Sequence, residues 1–310
     1  MKFTIIGHLC LDVIHHADGS ESRGFGGIYF AVGAMASIAS ETDTIFPVFG
    51  VGEKEFDDVQ RLMKAFPNVD ASGIFSFSGD TNQVHLFYGT NGNSESRIEC
   101  SKHISAPVPF SRIEPFLNVQ GIFLDMISGF DVTLETLDQI RLAVRSKNVP
   151  IHIDLHSLTL GLNSDATRYR RALTEWRRWC FMVNSIQMNE EEAAGLTVEK
   201  FTEDLLAKQM LPLMVNALCI TRGQRGATMF QQEHKHLLRK EFPGIPTGSK
   251  DPTGCGDVFG SAFLYQYCRT KSFDRASEFA NEVAAANSTR SGSDEISLLS
   301  RFKVTEEAGK

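Results

Sequence analysis

The chain of 310 residues lacks several features that would direct its reading elsewhere. No apolar run is long enough to span a bilayer. The opening Met1-Lys2-Phe3-Thr4-Ile5-Ile6-Gly7 has no small-residue cleavage site and reads as a buried strand, so a secretory leader is not expected. The six cysteines (Cys10, Cys100, Cys180, Cys219, Cys255, Cys268) show no Cys-x-x-Cys spacing. That argues against a zinc site or a disulfide framework and for reduced, mostly buried thiols in a cytoplasm. Positive charge is not in excess: the net charge is −7, which speaks against a nucleic-acid surface. There is no Gly-x-x-x-x-Gly-Lys-Ser/Thr phosphate loop, no repeat period and no low-complexity tract. At 42% hydrophobic and 22% charged, the composition is that of an ordinary soluble globular protein.

What is present is an alternation of strand-like and helix-like segments joined by short turns. Strands are expected at residues 2–6, 44–48, 119–124, 151–154, 180–183 and 217–221. Helices are expected at 28–38, 53–66, 134–144, 165–179 and 189–196, with two more at about 256–269 and 274–288. Gly50-Val51-Gly52 reads as a turn, and 227–231 with 236–242 as a hairpin. Residues 72–100 differ: Phe75, Phe77, Val84, Leu86 and Tyr88 alternate with polar neighbours, and Asn91-Gly92 marks a hairpin turn. The pattern predicts an α/β fold with helices on both faces of a mostly parallel sheet, plus a small antiparallel sheet with one wet face. Ligands in such sheets bind beyond the carboxyl ends of the strands.

The densest chemical signal is Lys250-Asp251-Pro252-Thr253-Gly254-Cys255-Gly256-Asp257-Val258-Phe259-Gly260-Ser261-Ala262-Phe263. A glycine turn feeds the start of an apolar helix, where backbone N–H groups have no partner and the helix dipole is positive. Glycines let such a backbone close around a phosphate. A carboxylate at that mouth would repel phosphate unless it does chemistry, and taking a proton from an attacking hydroxyl suits Asp257.

This stretch resembles the second signature of the PfkB, or ribokinase-like, carbohydrate kinases, Asp-Thr-Thr-Gly-Ala-Gly-Asp, with Pro252 replacing a threonine and Cys255 the alanine. The resemblance covers nearly the whole chain. It implies one three-layer α/β/α kinase domain over 1–310, with a β lid inserted from about 13–25 and 72–103. It also implies that the amides of Gly254, Cys255 and Gly256 hold the transferred phosphate while Asp257 acts as base. Asp12 with Gly26 and Gly27 would bind the substrate. Thr221, Arg222, Gly223 and Gly226, with Asn281, would face ATP. Asn189 and Glu192 would hold Mg2+ through water, and Asp251 and Thr253, with residues 287–292, a monovalent cation such as K+. The implied partners are a small-molecule substrate and ATP, with no nucleic acid and no membrane; a homodimer through the lid is a further expectation.

One departure bears on the substrate. Ala31 stands where the family usually has an asparagine for sugar hydroxyls, and Cys10 replaces another polar residue. A site short of polar partners suits a nucleoside, a cyclitol or a modified sugar better than ribose or fructose. The alternative is a catalytically silent sensor on the same fold, against which the intact Asp257 speaks. His152-x-Asp154-x-His156 and His234-x-His236 lack a third metal ligand and read as packing or solvated residues. Arg168, Arg170, Arg171, Arg177 and Arg178 read as one basic helical face. Cys255, at a helix start, invites a lowered thiol pKa and redox sensitivity.

Overall fold

In a computed structural model, residues 1–15, 19–87, 98–234, 236–290, 292–293 and 295–304 are described. The first half runs β1 (Lys2–Gly7), β2 (Leu9–His15), β3 (Glu21–Gly27), α1 (Ile28–Ile38), β4 (Thr44–Gly52), α2 (Phe56–Met63), β5 (Ile74–Phe77), β6 (Asn82–Phe87), β7 (Ile98–Lys102), α3 (Phe110–Ile113), β8 (Gly121–Asp125), α4 (Leu134–Val144) and β9 (Ile151–Asp154). The second runs β10 (Leu160–Leu162), β11 (Arg168–Arg170), α5 (Trp176–Met182), β12 (Ser185–Asn189), α6 (Glu190–Gly195), α7 (Glu203–Met210), β13 (Ala217–Thr221), β14 (Gly226–Glu233), β15 (His236–Pro243), α8 (Cys255–Thr270) and α9 (Phe273–Asn287).

Among the described residues, nine strands form one sheet in the order β15-β14-β13-β12-β9-β8-β1-β4-β5. Pairing is parallel from β13 to β5, and only the β13–β14 and β14–β15 pairs are antiparallel. Alternation along each strand sends side chains to opposite faces. Phe3, Ile5 and Phe123 pack with α1, α2, α8 and α9. Ile6, Ile122 and Leu124 pack with α3 to α7 on the other side. The result is the expected three-layer α/β/α arrangement. Every residue of α1 is buried, which its near-absence of polar side chains requires.

A second sheet, β3-β2-β6-β7, stands over the carboxyl end of β1. It is mixed, not purely antiparallel, because β2 and β6 pair in parallel. β5, with Phe75 and Phe77, belongs to the edge of the central sheet instead of the small one. Gly50-Val51-Gly52 likewise continues β4 instead of turning, held by that same pairing. Tyr88 and the Asn91-Gly92 turn lie outside the described residues.

The largest departure is in residues 165–183. Arg168–Arg170 is a strand paired with β10, and the basic residues are split between this hairpin and α5. Cys180 to Val183 is not a strand: Cys180 is a buried residue of α5, and the sheet resumes at Ser185. Among the described residues no helix is long and apolar enough to cross a membrane.

Candidate active site

Helix starts set up the site. α4, α6, α7 and α9 are each capped by a side chain (Thr133, Asn189, Thr202 and Ser272), which satisfies an orphan amide in the first turn. α8 begins differently. Its cap is Gly254, in the left-handed region at φ 75°, with no side-chain cap. A Cβ on Gly254 would lie 2.3 Å from the ring of Phe30, so α1 closes over this turn to backbone contact. The Cys255 N–H turns back to the Pro252 carbonyl at 3.2 Å. The N–H groups of Gly254, Gly256 and Asp257 meet no acceptor among the described residues. The unpaired set therefore has Asp257 in place of Cys255 among the expected Gly254, Cys255 and Gly256.

Asp257 lies in this first turn beside two carboxylates from neighbouring strand ends, Asp125 (β8) and Asp154 (β9). One oxygen of each lies within 4.8 Å of the others. Asp125 is fully inaccessible and Asp154 is 4% exposed. Burial pushes Asp257 up to about 6, against the charge of His156 and the pull of the adjoining Asp125. Burial also raises Asp125 and Asp154 well above the usual carboxylate range, with the adjoining acids adding to it. Asp154 is bonded by Gln187 Nε2 at 2.8 Å and by the His156 N–H at 3.2 Å, and Gln187 also donates to the Gly256 carbonyl at 2.9 Å.

Opposite stands the start of α6. Asn189 and Glu192 form a capping box, each bonding the other's backbone N–H. Glu192 Oε1 also accepts from Asn189 Nδ2 at 2.7 Å and lies 3.2 Å from His156 Nδ1. Burial alone would raise the Glu192 carboxyl; the bond and charge of His156 bring it below its ordinary value instead. Burial likewise would lower His156, but Glu192, Asp154 and Asp257 outweigh it and raise the imidazole to about 10. Its side chain is 45% exposed, so solvent weakens that pull without reversing it, and His156 is a cation at neutral pH. With hard oxygen donors but a charge already balanced by His156 and Arg170, Glu192 fits magnesium through water better than by direct ligation.

The other expected residues fall at the same edge. Asp12 is on β2 and Gly26 on β3. A Cβ on Gly26 would lie 2.0 Å from Asp12 Oδ2, so this glycine leaves room for the carboxylate. Gly27, at φ 61°, turns the hairpin into α1. Cys10 and Ala31 are buried close by. Thr221 ends β13, and Gly223 (φ 53°) and Gly226 (φ 90°) shape the loop after it. Asn281 donates to the Pro243 carbonyl at 3.0 Å, beside the Gly244 backbone that this loop touches. Asp251 accepts from the N–H groups of Thr253 and Gly292, and Asn287 donates to the Thr253 carbonyl, so these three segments do meet. Ser291 lies outside the described residues.

Two expectations are corrected. Arg222 is engaged by Glu203, Thr228 and the Ile220 carbonyl, so it braces the loop and is not aimed at a phosphate. Cys255 is not activated: burial raises its thiol to about 11, despite a bond from Asn287. Mild peroxide is therefore expected to leave activity unchanged over the period in which a low-pKa thiol would be consumed; rapid inactivation, abolished by Cys255→Ala, would contradict this.

Asp125, Asp154 and His156 were not expected here. A lone acid at a strand end carries no pattern, although its place at a carboxyl edge is the signal that could have found it. His152, two residues before Asp154 and on the same face of β9, is a packing residue deeper under α8. It is fully buried between Phe123 and Phe263, and burial lowers it to about 3.

Comparison with known proteins fits this geometry. Residues 162–299 match the pfkB family carbohydrate kinase profile. The chain is 23% identical over 291 residues to a cytidine kinase of Thermococcus kodakarensis, spanning 92% of this chain and 95% of that one. Among solved structures, a pyrophosphate-dependent kinase in the ribokinase family superposes with a TM-score of 0.76 at 16% identity, covering 94% and 96% of the two chains. A putative ribokinase II from E. coli, in complex with ATP and Mg2+, gives 0.71 at 18% identity over 97% and 98%.

Proposed function

We propose that this chain is a PfkB-type kinase, on its fold and the family match of residues 162–299, and that it transfers the γ-phosphate of ATP to an alcohol of a small sugar-like molecule. The reading rests on one observation: three unpaired amides and a carboxylate share the first turn of α8. Phosphoryl transfer needs positioning and charge stabilisation more than covalent help. The amides of Gly254, Gly256 and Asp257 receive the transferred group at the positive end of the helix. Asp257 takes the proton from the acceptor hydroxyl. Asp12, over Gly26, orients that acceptor. The loop from Thr221 to Gly226 and Asn281 flank the nucleotide. Magnesium, arriving with the nucleotide, screens phosphate charge, and Asn189 and Glu192 would hold it through water. His156 adds a protein cation on the same side.

We read residues 1–310 as one kinase domain whose β2-β3-β6-β7 sheet covers the acceptor and limits hydrolysis by water. The apolar surroundings of Cys10 and Ala31, with the similarity to a cytidine kinase, favour a nucleoside over ribose. The test is phosphorylation of cytidine, adenosine, ribose, fructose and myo-inositol, with ATP and with pyrophosphate as donors. We expect ATP to serve and a nucleoside to give the highest kcat/KM. Transfer from pyrophosphate alone would overturn the donor. ATP binding without transfer to any acceptor would turn the reading to a sensor.

A further inference from the structure

Asp125 is used by no step above, yet it is the most enclosed acid of the site. It ends β8, its side chain is wholly inaccessible, and neither oxygen meets a donor among the described residues. The charged groups acting on it are themselves acids: Asp257 from α8, Asp154 from β9 and Asp131 from the loop after β8. The nearby cations are spent elsewhere, His156 on Glu192 and Arg170 on Glu191 and Glu192. Asp154 has its own donors in Gln187 and the His156 N–H. An ionised Asp125 would thus be a desolvated anion among anions. Two carboxyl groups hydrogen-bond only when one of them holds a proton. Asp257 is the more accessible of the two and stands at the amide turn where the acceptor arrives.

We propose that Asp125 is a neutral carboxylic acid whose O–H donates to Asp257, and that it is the positioning residue of the base. One Asp257 oxygen is anchored on Asp125, and the other is left for the acceptor hydroxyl. In turnover the acceptor O–H bond breaks and its proton joins Asp257, while Asp125 keeps its own. The two acids then titrate as a pair sharing one proton. This inference rests on Asp257 being the base.

The sign of a pH shift tests it. Removing a donor raises the pKa of the carboxylate it served, whereas removing a neighbouring anion lowers it. Asp125→Ala is expected to move the acidic limb of kcat/KM up by about one pH unit. It should also lower kcat by roughly 10²-fold as the base loses its anchor. Asp125→Asn, which still offers an N–H, should restore most of kcat. A downward shift of the limb in Asp125→Ala overturns the proposal.

Infrared spectroscopy gives a readout that needs no activity. At mildly alkaline pH the wild-type protein should show a carboxylic-acid C=O band that Asp125→Asn loses and Asp257→Asn keeps. Absence of the band overturns the proposal, as does its loss on adding Mg2+ alone, which would make the three acids a metal site. An inactive Asp257→Asn protein without the band in wild type would mean that this inference fails and the base assignment stands. A fully active Asp257→Asn protein would mean that the base assignment itself fails.

Discussion

Asp257→Asn is expected to bind nucleotide as the wild-type protein does and to turn over at least ~100-fold more slowly, the lower range for loss of a general base. Steady-state kinetics with the best acceptor, beside a nucleotide-binding isotherm, checks both halves. The same residue sets a pH dependence. With Asp257 raised to about 6, kcat/KM should fall as the pH drops through that value and the base becomes protonated. Stability runs the other way. The folded pKa lies above the unfolded one, so the folded state holds the extra proton between the two values. The penalty for an ionised Asp257 is absent below the unfolded value near ~4 and complete above about 6. At neutral pH it amounts to ~3 kcal/mol at most, and less where water reaches the carboxylate. Asp257→Asn should therefore melt higher than wild type at neutral pH and near the wild-type temperature in acid. A variant both inactive and less stable at neutral pH would contradict this account.

The second large effect is expected at the cap of α8. Gly254→Ala places a Cβ where the Phe30 ring now lies and asks an L-residue to hold φ 75°. The left-handed conformation alone costs ~1–2 kcal/mol. Phe30 is 2% exposed in the core between α1 and α8, so it has little room to retreat. The turn must yield, and the three amides move with it. A displacement on the order of 1 Å is enough to cost roughly 10²-fold in kcat/KM. Gly254→Ala with Phe30→Ala, which removes the clash but keeps the backbone strain, should recover part of that loss. Full activity in the single variant would mean that these amides do not hold the transferred group.

The sequence was legible where a period or a dense motif was present. α1, α4, β9 and β13 lie where alternation and helical spacing put them, because each buries the face its pattern prescribes. The glycine turn before Asp257 was legible because several special residues are contiguous. The hairpin of β10 and β11 was not: its arginines alternate too briefly to be told from a helix, and its pairing with Leu160–Leu162 is what makes it a strand. The apolar end of α5 was mistaken for a strand for a related reason, since a short buried run fits either period. α7 left no expectation at all. β5 and the end of β4 depend on each other, so neither declares its sheet alone. In the site, Asp125, Asp154 and Asp257 come together only when β8, β9 and α8 are brought side by side, and no local rule anticipates three acids from two strand ends and a helix start.

Strand β3 passes without a break into α1 at Gly27, and Phe30, one turn on, is the ring seated against Gly254. The segment that shelters Asp12 thus acts as a crank whose far end bears on the glycine turn of α8. Tilting it at the acceptor side would shift the donor side by direct leverage, with no relay of intermediates between them. Synchrony between the two halves of the reaction would then be a matter of mechanics, built into eighteen consecutive residues from Glu21 to Ile38.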